Sequence, residues 1–381
     1  EYEGYELLAY DAETIGKTTP AYNPDNFDFV CLVINHNLYK DPTDPMYNWA
    51  GLGDVGGKVN WIDGSSSGSE LDQDAHVYLH ELGHNLGLFH ANAWNPNSNS
   101  QADDSSGIHE EYGHDFDMMG GIWTYSSDQS HFNAAHKNAL NWLPWDQIQT
   151  VNGNYSGRIY AMDQTLVPGR KYALRVAVNT SLGGKSGLNY WVEHRSRFPT
   201  NAYLSDGALI YTSDQAPDKN GTDESLKLLD MNPATNGVND AGLKAGQTFT
   251  DRSNRWRIAV TDQGGNGVDS WIEVEVTDLN LPQITQHPSS TAVTKGSSHT
   301  LSVTATGATS YQWRKDGLNI LNATTRTYYI PSFSLDDEAN YDVKVTNSTG
   351  SVYSDTAMLV QRMTSLTTPI NDAFNGTTRN A

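Results

Sequence analysis

The sequence predicts an α+β domain followed by two all-β units. Three observations carry that expectation. Two whole helix-like stretches and the end of another stand among strand-like runs in the first 150 residues. Short alternating segments, separated by Gly, Asn and Asp turns, begin near residue 151. A further set of strand-like segments starts at Pro282. The expected division is 1–150, 151–280 and 281–362, with 363–381 a Thr/Asn-rich linker or tail. At 381 residues, each unit is long enough to bury its own core.

In chain order, Tyr5 to Ile15 reads as the end of a helix. Asp28 to Asn35 contains the apolar run Phe29-Val30-Cys31-Leu32-Val33-Ile34, expected as a buried strand with Cys31 inside. Residues 49–62 are Gly-rich and end in the alternating Lys58-Val59-Asn60-Trp61-Ile62. Ser69-Glu70-Leu71-Asp72 offers a capping box. Ala75 to Leu86 reads as a helix that Gly87 can end. Residues 92–107 read as a polar surface loop. Ser130 to Leu143 reads as a second helix, stopped before Pro144. Beyond it, segments such as Tyr172 to Val178 and Trp271 to Val276 alternate as sandwich strands do.

Lys and Arg number 24 against 45 Asp and Glu, a formal charge of −21. Such a field repels phosphate backbones, so no nucleic-acid partner is expected. The single cysteine excludes an intrachain disulfide and a thiolate metal cluster. No stretch has the 18 or so apolar residues that span a bilayer. The start at Glu1-Tyr2-Glu3, without Met, reads as a processed or trimmed end.

The chemistry is concentrated in His80-Glu81-Leu82-Gly83-His84-Asn85-Leu86-Gly87-Leu88-Phe89-His90. Positions four apart share a helix face, so His80 and His84 can turn their rings toward one zinc ion. Glu81 lies one residue on, placed to reach water beside the metal without being a ligand. Gly87 lets the chain leave the helix and return His90 as a third ligand. Three neutral imidazoles leave a fourth position open, as a catalytic zinc requires. Glu81 is then the general base.

This extended string resembles the metzincin metallopeptidases. The likeness extends to gametolysin-like bacterial peptidases through Glu111-Tyr112-Gly113 before Phe116-Asp117, and through His131-Phe132-Asn133-Ala134 leading to Asn141-Trp142-Leu143. It implies an α+β metzincin catalytic domain, followed by the all-β sandwich. It also implies a Met-turn at Phe116-Asp117-Met118-Met119-Gly120, 29 residues after His90, with Met119 its methionine and Met118 the alternative. From 281 the chain resembles an immunoglobulin-like β-sandwich. Trp313 would be its buried strand tryptophan and Tyr341 its tyrosine corner, with Val303 and Val343 in place of the disulfide cysteines.

Other candidates carry less. Tyr125, His114 and His131 are expected substrate or oxyanion contacts beside the Met-turn, and His109 flanks the same region. His76 would close the site as a fourth ligand and is read as supporting or solvated. Asp72, Asp74, Asp103, Asp104, Glu110 and Glu111 could bind structural calcium, but no D-x-D-x-D-G loop occurs and solvated acidic loops account for them better. Trp49, Trp61 and Trp94 are read as partly core rather than a substrate platform. The resulting expectation is a secreted or cell-surface, bacterial, monomeric zinc endopeptidase. Its substrate would be an extracellular protein or glycoprotein, including the mucin type, bound as an added strand on an edge within 55–62. The rivals are an adhesin that uses the zinc domain as a scaffold to bind glycan or protein, and a zinc amidohydrolase acting on a non-peptide.

Overall fold

The structure is a computed structural model, and it describes residues 14, 17–18, 23–34, 50–63, 71–96, 102–103, 105–121, 131–182, 185–197, 207–213, 226–235, 237–238 and 240–362. The expected helix at Tyr5–Ile15, the cap at Ser69, Trp49, Asp104, Tyr125 and the tail from 363 fall wholly or largely outside those residues. The chain divides into two compact units, Glu1–Asp278 and Leu279–Ala381.

The first unit opens with β1 (Val30–Ile34), β2 (Gly51–Gly53) and β3 (Val59–Asp63), a sheet in the order β1-β3-β2. β1 runs parallel to β3 and β2 antiparallel, which leaves β2 at an edge. The alternating 58–62 segment is therefore the central strand. The edge is the Gly-Leu-Gly of β2, which carries no alternation to mark it. β1 is less buried than its apolar run implies: Cys31 is half-buried and Val33 is 71% exposed. α1 (Leu71–Asn85) packs on β2 and β3. The Asn85 amide ties them together, donating to Asp54 O and Val59 O and accepting from Asn60 Nδ2 at 2.7 Å.

Helix α1 ends as its sequence demands. Gly87 takes φ +93°. Its N–H donates to His84 O at 2.8 Å, and Leu88 N–H reaches back to Gly83 O at 3.0 Å. That is a Schellman closure, which needs the left-handed φ glycine adopts freely.

From there the chain enters β4 (Asn92–Asn95) and, further on, β5 (Ile108–Glu110). Part of the polar 92–107 segment is therefore strand rather than loop. α2 (Ala134–Ala139) follows, then β6 (Ile148–Val151), β7 (Tyr155–Tyr160), β8 (Ala173–Leu182), β9 (Lys185–Glu193), β10 (Leu209–Ser213), β11 (Lys227–Leu229), β12 (Thr248–Thr250), β13 (Trp256–Gly264) and β14 (Trp271–Asp278). They form a seven-stranded sheet, β5-β4-β11-β10-β9-β8-β6, and a four-stranded one, β12-β13-β14-β7. Leu174, Val176, Tyr190 and Ile210 of the first share one core with Ile159, Ile258, Ile272 and Val274 of the second. The sandwich expected beyond 151 is present, but no boundary falls at 150. β4 pairs in parallel with β11, so strands from both sides of that point share one sheet. That pairing joins residues more than 130 positions apart, beyond the reach of local pattern.

The second helix is shorter than the expected Ser130–Leu143. Asn133 caps its start, accepting from His136 N–H at 2.9 Å. Asn141 ends it by turning to φ +59°, with Trp142 N–H returning to Lys137 O. Asparagine tolerates that φ better than most residues, so the stop comes before Pro144.

The second unit is all-β: β15 (Gln283–Gln286), β16 (Thr291–Val293), β17 (His299–Ser302), β18 (Thr304–Thr306), β19 (Ser310–Lys315), β20 (Leu318–Asn319), β21 (Thr327–Ile330), β22 (Ala339–Thr346), β23 (Ser351–Tyr353) and β24 (Ala357–Gln361). Its main sheet runs β16-β24-β22-β19-β20, with β23 beside β22. Trp313 is fully buried among Val303, Val343 and Tyr341. The Tyr341 hydroxyl donates to Asp337 O at 3.0 Å. Among the described residues no helix is long and apolar enough to cross a membrane.

Candidate metal centre

α1 presents His80 and His84 side by side, ring centroids 4.9 Å apart. The Schellman turn brings His90 back to 5.4 Å from His80 and 4.9 Å from His84. One ring nitrogen from each lies within 4.8 Å of the others. Among the described residues, no other group of three or more His, Cys, Asp or Glu could hold a metal ion.

Each Nδ1 has an acceptor: Met118 O at 3.0 Å from His80, Leu88 O at 2.8 Å from His84, and Glu111 Oε1 at 2.9 Å from His90. Carbonyl and carboxylate oxygens only accept, so the proton of each neutral ring sits on Nδ1 and the Nε2 lone pair is left to converge. Burial, reinforced by the neighbouring imidazoles, lowers His80 to about 3; burial, with His90 adding to it, lowers His84 to about 4. Burial lowers His90 as well, against the pull of Glu111. All three are in the ligand form at neutral pH. Three neutral imidazoles with a remaining open position fit a tetrahedral zinc.

Glu81 is held against β2. A Cβ at Gly51 would stand 2.6 Å from Glu81 Oε1, and one at Gly53 would stand 2.6 Å from Glu81 O. Only glycine lets the strand lie so close. Burial raises the Glu81 carboxyl to about 8, partly offset by the Gly53 N–H bonded to it.

Met119 is fully buried, and a Cβ at Gly83 would collide with its sulfur, so Gly83 admits it against α1 between the two helical histidines. The loop beneath is anchored by Asp117, which accepts from Met119 N–H at 2.7 Å and Asn133 N–H at 2.5 Å and lies 3.3 Å from His136 Nδ1. Burial opposes that charge, yet His136, His114 and Arg195 hold the Asp117 carboxyl well below the usual range. Arg195 bonds Phe116 O and, at 2.7 Å, Glu193 Oε1. Glu193 in turn accepts from Ala134 N–H and the Tyr211 hydroxyl. Arg195, just beyond β9 and paired with Glu193 at the end of that strand, thus holds the loop under the triad.

The remaining candidates do not join the triad. His114 is fully buried, 5.9 Å from the Tyr211 ring, and burial lowers it to about 3. It has no exposed surface to offer a substrate. His131 is half-buried, its backbone N–H on Phe116 O. His76 is buried with Nε2 3.4 Å from Gly120 O and its ring 6.1 Å from His80. His109 pairs opposite Trp94 in the β4–β5 ladder. Asp103 accepts from the Tyr190 hydroxyl and Arg252 N–H, and Glu110 from Asn95, so these acids do not converge. Trp61 and Trp94 are buried.

Sequence reasoning missed Tyr112, whose ring lies 3.9 Å from that of His90 and 5.8 Å from that of His80. Burial, with the nearby Glu111 and Glu81 charges, raises its hydroxyl to about 12. It also missed Glu111 as the partner of His90. Their adjacency was visible, but the turn that aims them at His90 was not.

Residues 282–347 match the immunoglobulin-domain family model. Those residues form an immunoglobulin-like domain. A 62-residue stretch, 16% of the chain, is 45% identical to a decoration protein of Escherichia phage T5, and spans 38% of that protein. Among solved structures, similarity reaches a chimeric titin Z1Z2 (23% identity, 22% of this chain and 94% of that one, TM-score 0.19). Tandem Ig repeats of Dlar give 13% identity over 57% and 93%, with a TM-score of 0.21. The buried Trp313 and the Tyr341 corner are the residues on which such a domain is built.

Proposed function

We propose that this chain is a zinc-dependent endopeptidase of the metzincin type, acting on extracellular protein or glycoprotein outside the cell that makes it. The observation that carries this reading is the convergence of His80, His84 and His90 beside a Glu81 carboxylate held by an edge strand. His80, His84 and His90 would hold the ion. When bound, zinc supplies Lewis acidity, which makes water nucleophilic near neutral pH and polarises a carbonyl.

The chain's own residues do the rest. The outer edge of β2 offers backbone groups on which an extended peptide can lie as an added strand. Glu81 takes the proton of the attacking water and delivers it to the departing amine. The Gly53 N–H and the lack of Cβ atoms at positions 51 and 53 hold the carboxylate for both transfers. A nearby cation favours the charged form, so the Glu81 pKa near 8 falls when the ion is present, readying a base at neutral pH.

Metal analysis of the purified chain, with mass spectrometry of casein and mucin digests with and without chelator, tests the reading. Stoichiometric zinc and chelator-sensitive cleavage are expected. Cleavage only of small acylated compounds would favour an amidohydrolase. The immunoglobulin-like domain favours one rival, an adhesin with the histidine domain as scaffold. A Glu81→Gln chain with its full biological effect would select that rival.

A further inference from the structure

We propose that Glu111 and Tyr112 are positioning residues that clamp the His90 imidazole as the third ligand, an inference that rests on the zinc reading above. His80 and His84 stand on a rigid helix, and each has its Nδ1 fixed by a main-chain carbonyl. His90 has no such support. It lies between α1 and β4, in neither helix nor strand. A ring on such a segment would otherwise sample several rotamers.

Two side chains hold it instead. Glu111 Oε1 accepts a hydrogen bond from His90 Nδ1–H at 2.9 Å, so His90 is the one imidazole of the three braced by a carboxylate. A carboxylate makes the opposite nitrogen a stronger donor than a carbonyl does. The Tyr112 ring lies against His90 at 3.9 Å with a 37° tilt, closing one side of the rotamer space.

The backbone at Tyr112 explains how that ring is aimed. Its φ is +61°, a left-handed value that costs a bulky residue about 1–3 kcal/mol. The surroundings enforce it. Tyr112 N–H donates to Asn92 Oδ1 at 3.1 Å, Tyr112 O accepts from Gly121 N–H at 2.6 Å, and Gly113 N–H closes on Glu110 O at 3.1 Å. The buried Asn92 amide also donates to His90 O at 3.4 Å, so one side chain links the ligand's backbone to that of the clamp. A glycine would take this φ without strain. The turn itself therefore does not need an aromatic residue, and the ring's principal neighbour is His90.

The test uses the full chain and zinc alone. Zinc affinity is measured by competition with a chromophoric chelator, and the melting temperature is measured for the metal-free form. Tyr112→Gly removes both the ring and the backbone strain. It should leave the metal-free melting temperature unchanged or higher while weakening zinc by about tenfold or more. Tyr112→Phe keeps the ring and should bind within about twofold of the unaltered chain. Glu111→Ala should lose about 10–100-fold, with Glu111→Gln, which retains an acceptor oxygen, between the two. A parallel fall of melting temperature and affinity in Tyr112→Gly would make Tyr112 a packing residue and overturn its assignment. Undiminished zinc affinity in Tyr112→Gly and Glu111→Ala, with the unaltered chain still binding zinc, sinks the clamp and spares the zinc reading. An unaltered chain that takes up no zinc overturns both.

Discussion

At the residue scale the chemistry turns on a carboxyl group placed where charge is costly. Glu81 has a folded pKa near 8 against an ordinary value of 4.5 in the metal-free protein. Below pH 4.5 it is protonated folded or unfolded. As pH rises from 4.5 to 8 the unfolded chain ionises first, so stability is lost across that window. Glu81→Gln removes the loss. Its metal-free form should match the unaltered chain near pH 4 and exceed it by no more than about 4 kcal/mol at pH 8, read by urea titration at both pH values. The same variant should lower kcat on a peptide substrate by about 10²–10⁴-fold while zinc binding persists. His80 and His84 run the other way. Their folded pKa values lie below the ordinary 6.5, so their contribution is present above that value and lost as pH falls toward 4 and below. Of these residues, the sequence displayed those whose relation is local. His80, Glu81 and His84 are fixed by helical period, and His90 by a glycine turn. Glu111 and Tyr112 reach His90 from 21 and 22 residues away through a left-handed turn, and no periodicity encodes that approach.

At the element scale, two close approaches hold α1 in place. β2 lies against Glu81 because positions 51 and 53 have no side chain, and Met119 lies against Gly83 for the same reason. Gly51→Ala would put a methyl 2.6 Å from Glu81 Oε1. It should cost about 1–3 kcal/mol and reduce kcat more than zinc affinity, because the strand moves the base and leaves the ligands. Gly83→Ala should show the reverse order, since Met119 sits under the histidines; zinc affinity and kcat measured on both variants check the contrast. The helix α1 and strands β1 and β3 were readable from apolar pattern. The role of β2 was not, because its function depends on missing atoms. The short α2 was overestimated because Asn141 ends it through a backbone angle rather than through composition.

At the scale of the whole molecule, the chain should melt as two units. Calorimetry of the full chain should show two transitions, one from 1–278 and one from the immunoglobulin-like domain. Free zinc at 100 times its Kd should stabilise only the first, by about 3 kcal/mol, and a chelator should reverse the shift. The start of the second unit was legible at Pro282, where Trp313, Tyr341 and the paired valines declare a self-contained core. The unity of 1–278 was not, because β4, besides its local partner β5, pairs with β11 far along the chain.

That pairing of β4 with β11 carries a lesson for anyone wishing to borrow the site. Leaving His90, the backbone runs straight into a strand whose neighbour is Lys227–Leu229, while Arg195 grips Phe116 from below. A cassette ending at residue 150 would strip the histidine segment of its frame and lay bare Leu88, Trp94 and Met119. Transplantation into another scaffold has to carry the flanking β architecture along, because the histidine triad and its foundation are woven from distant stretches of one chain.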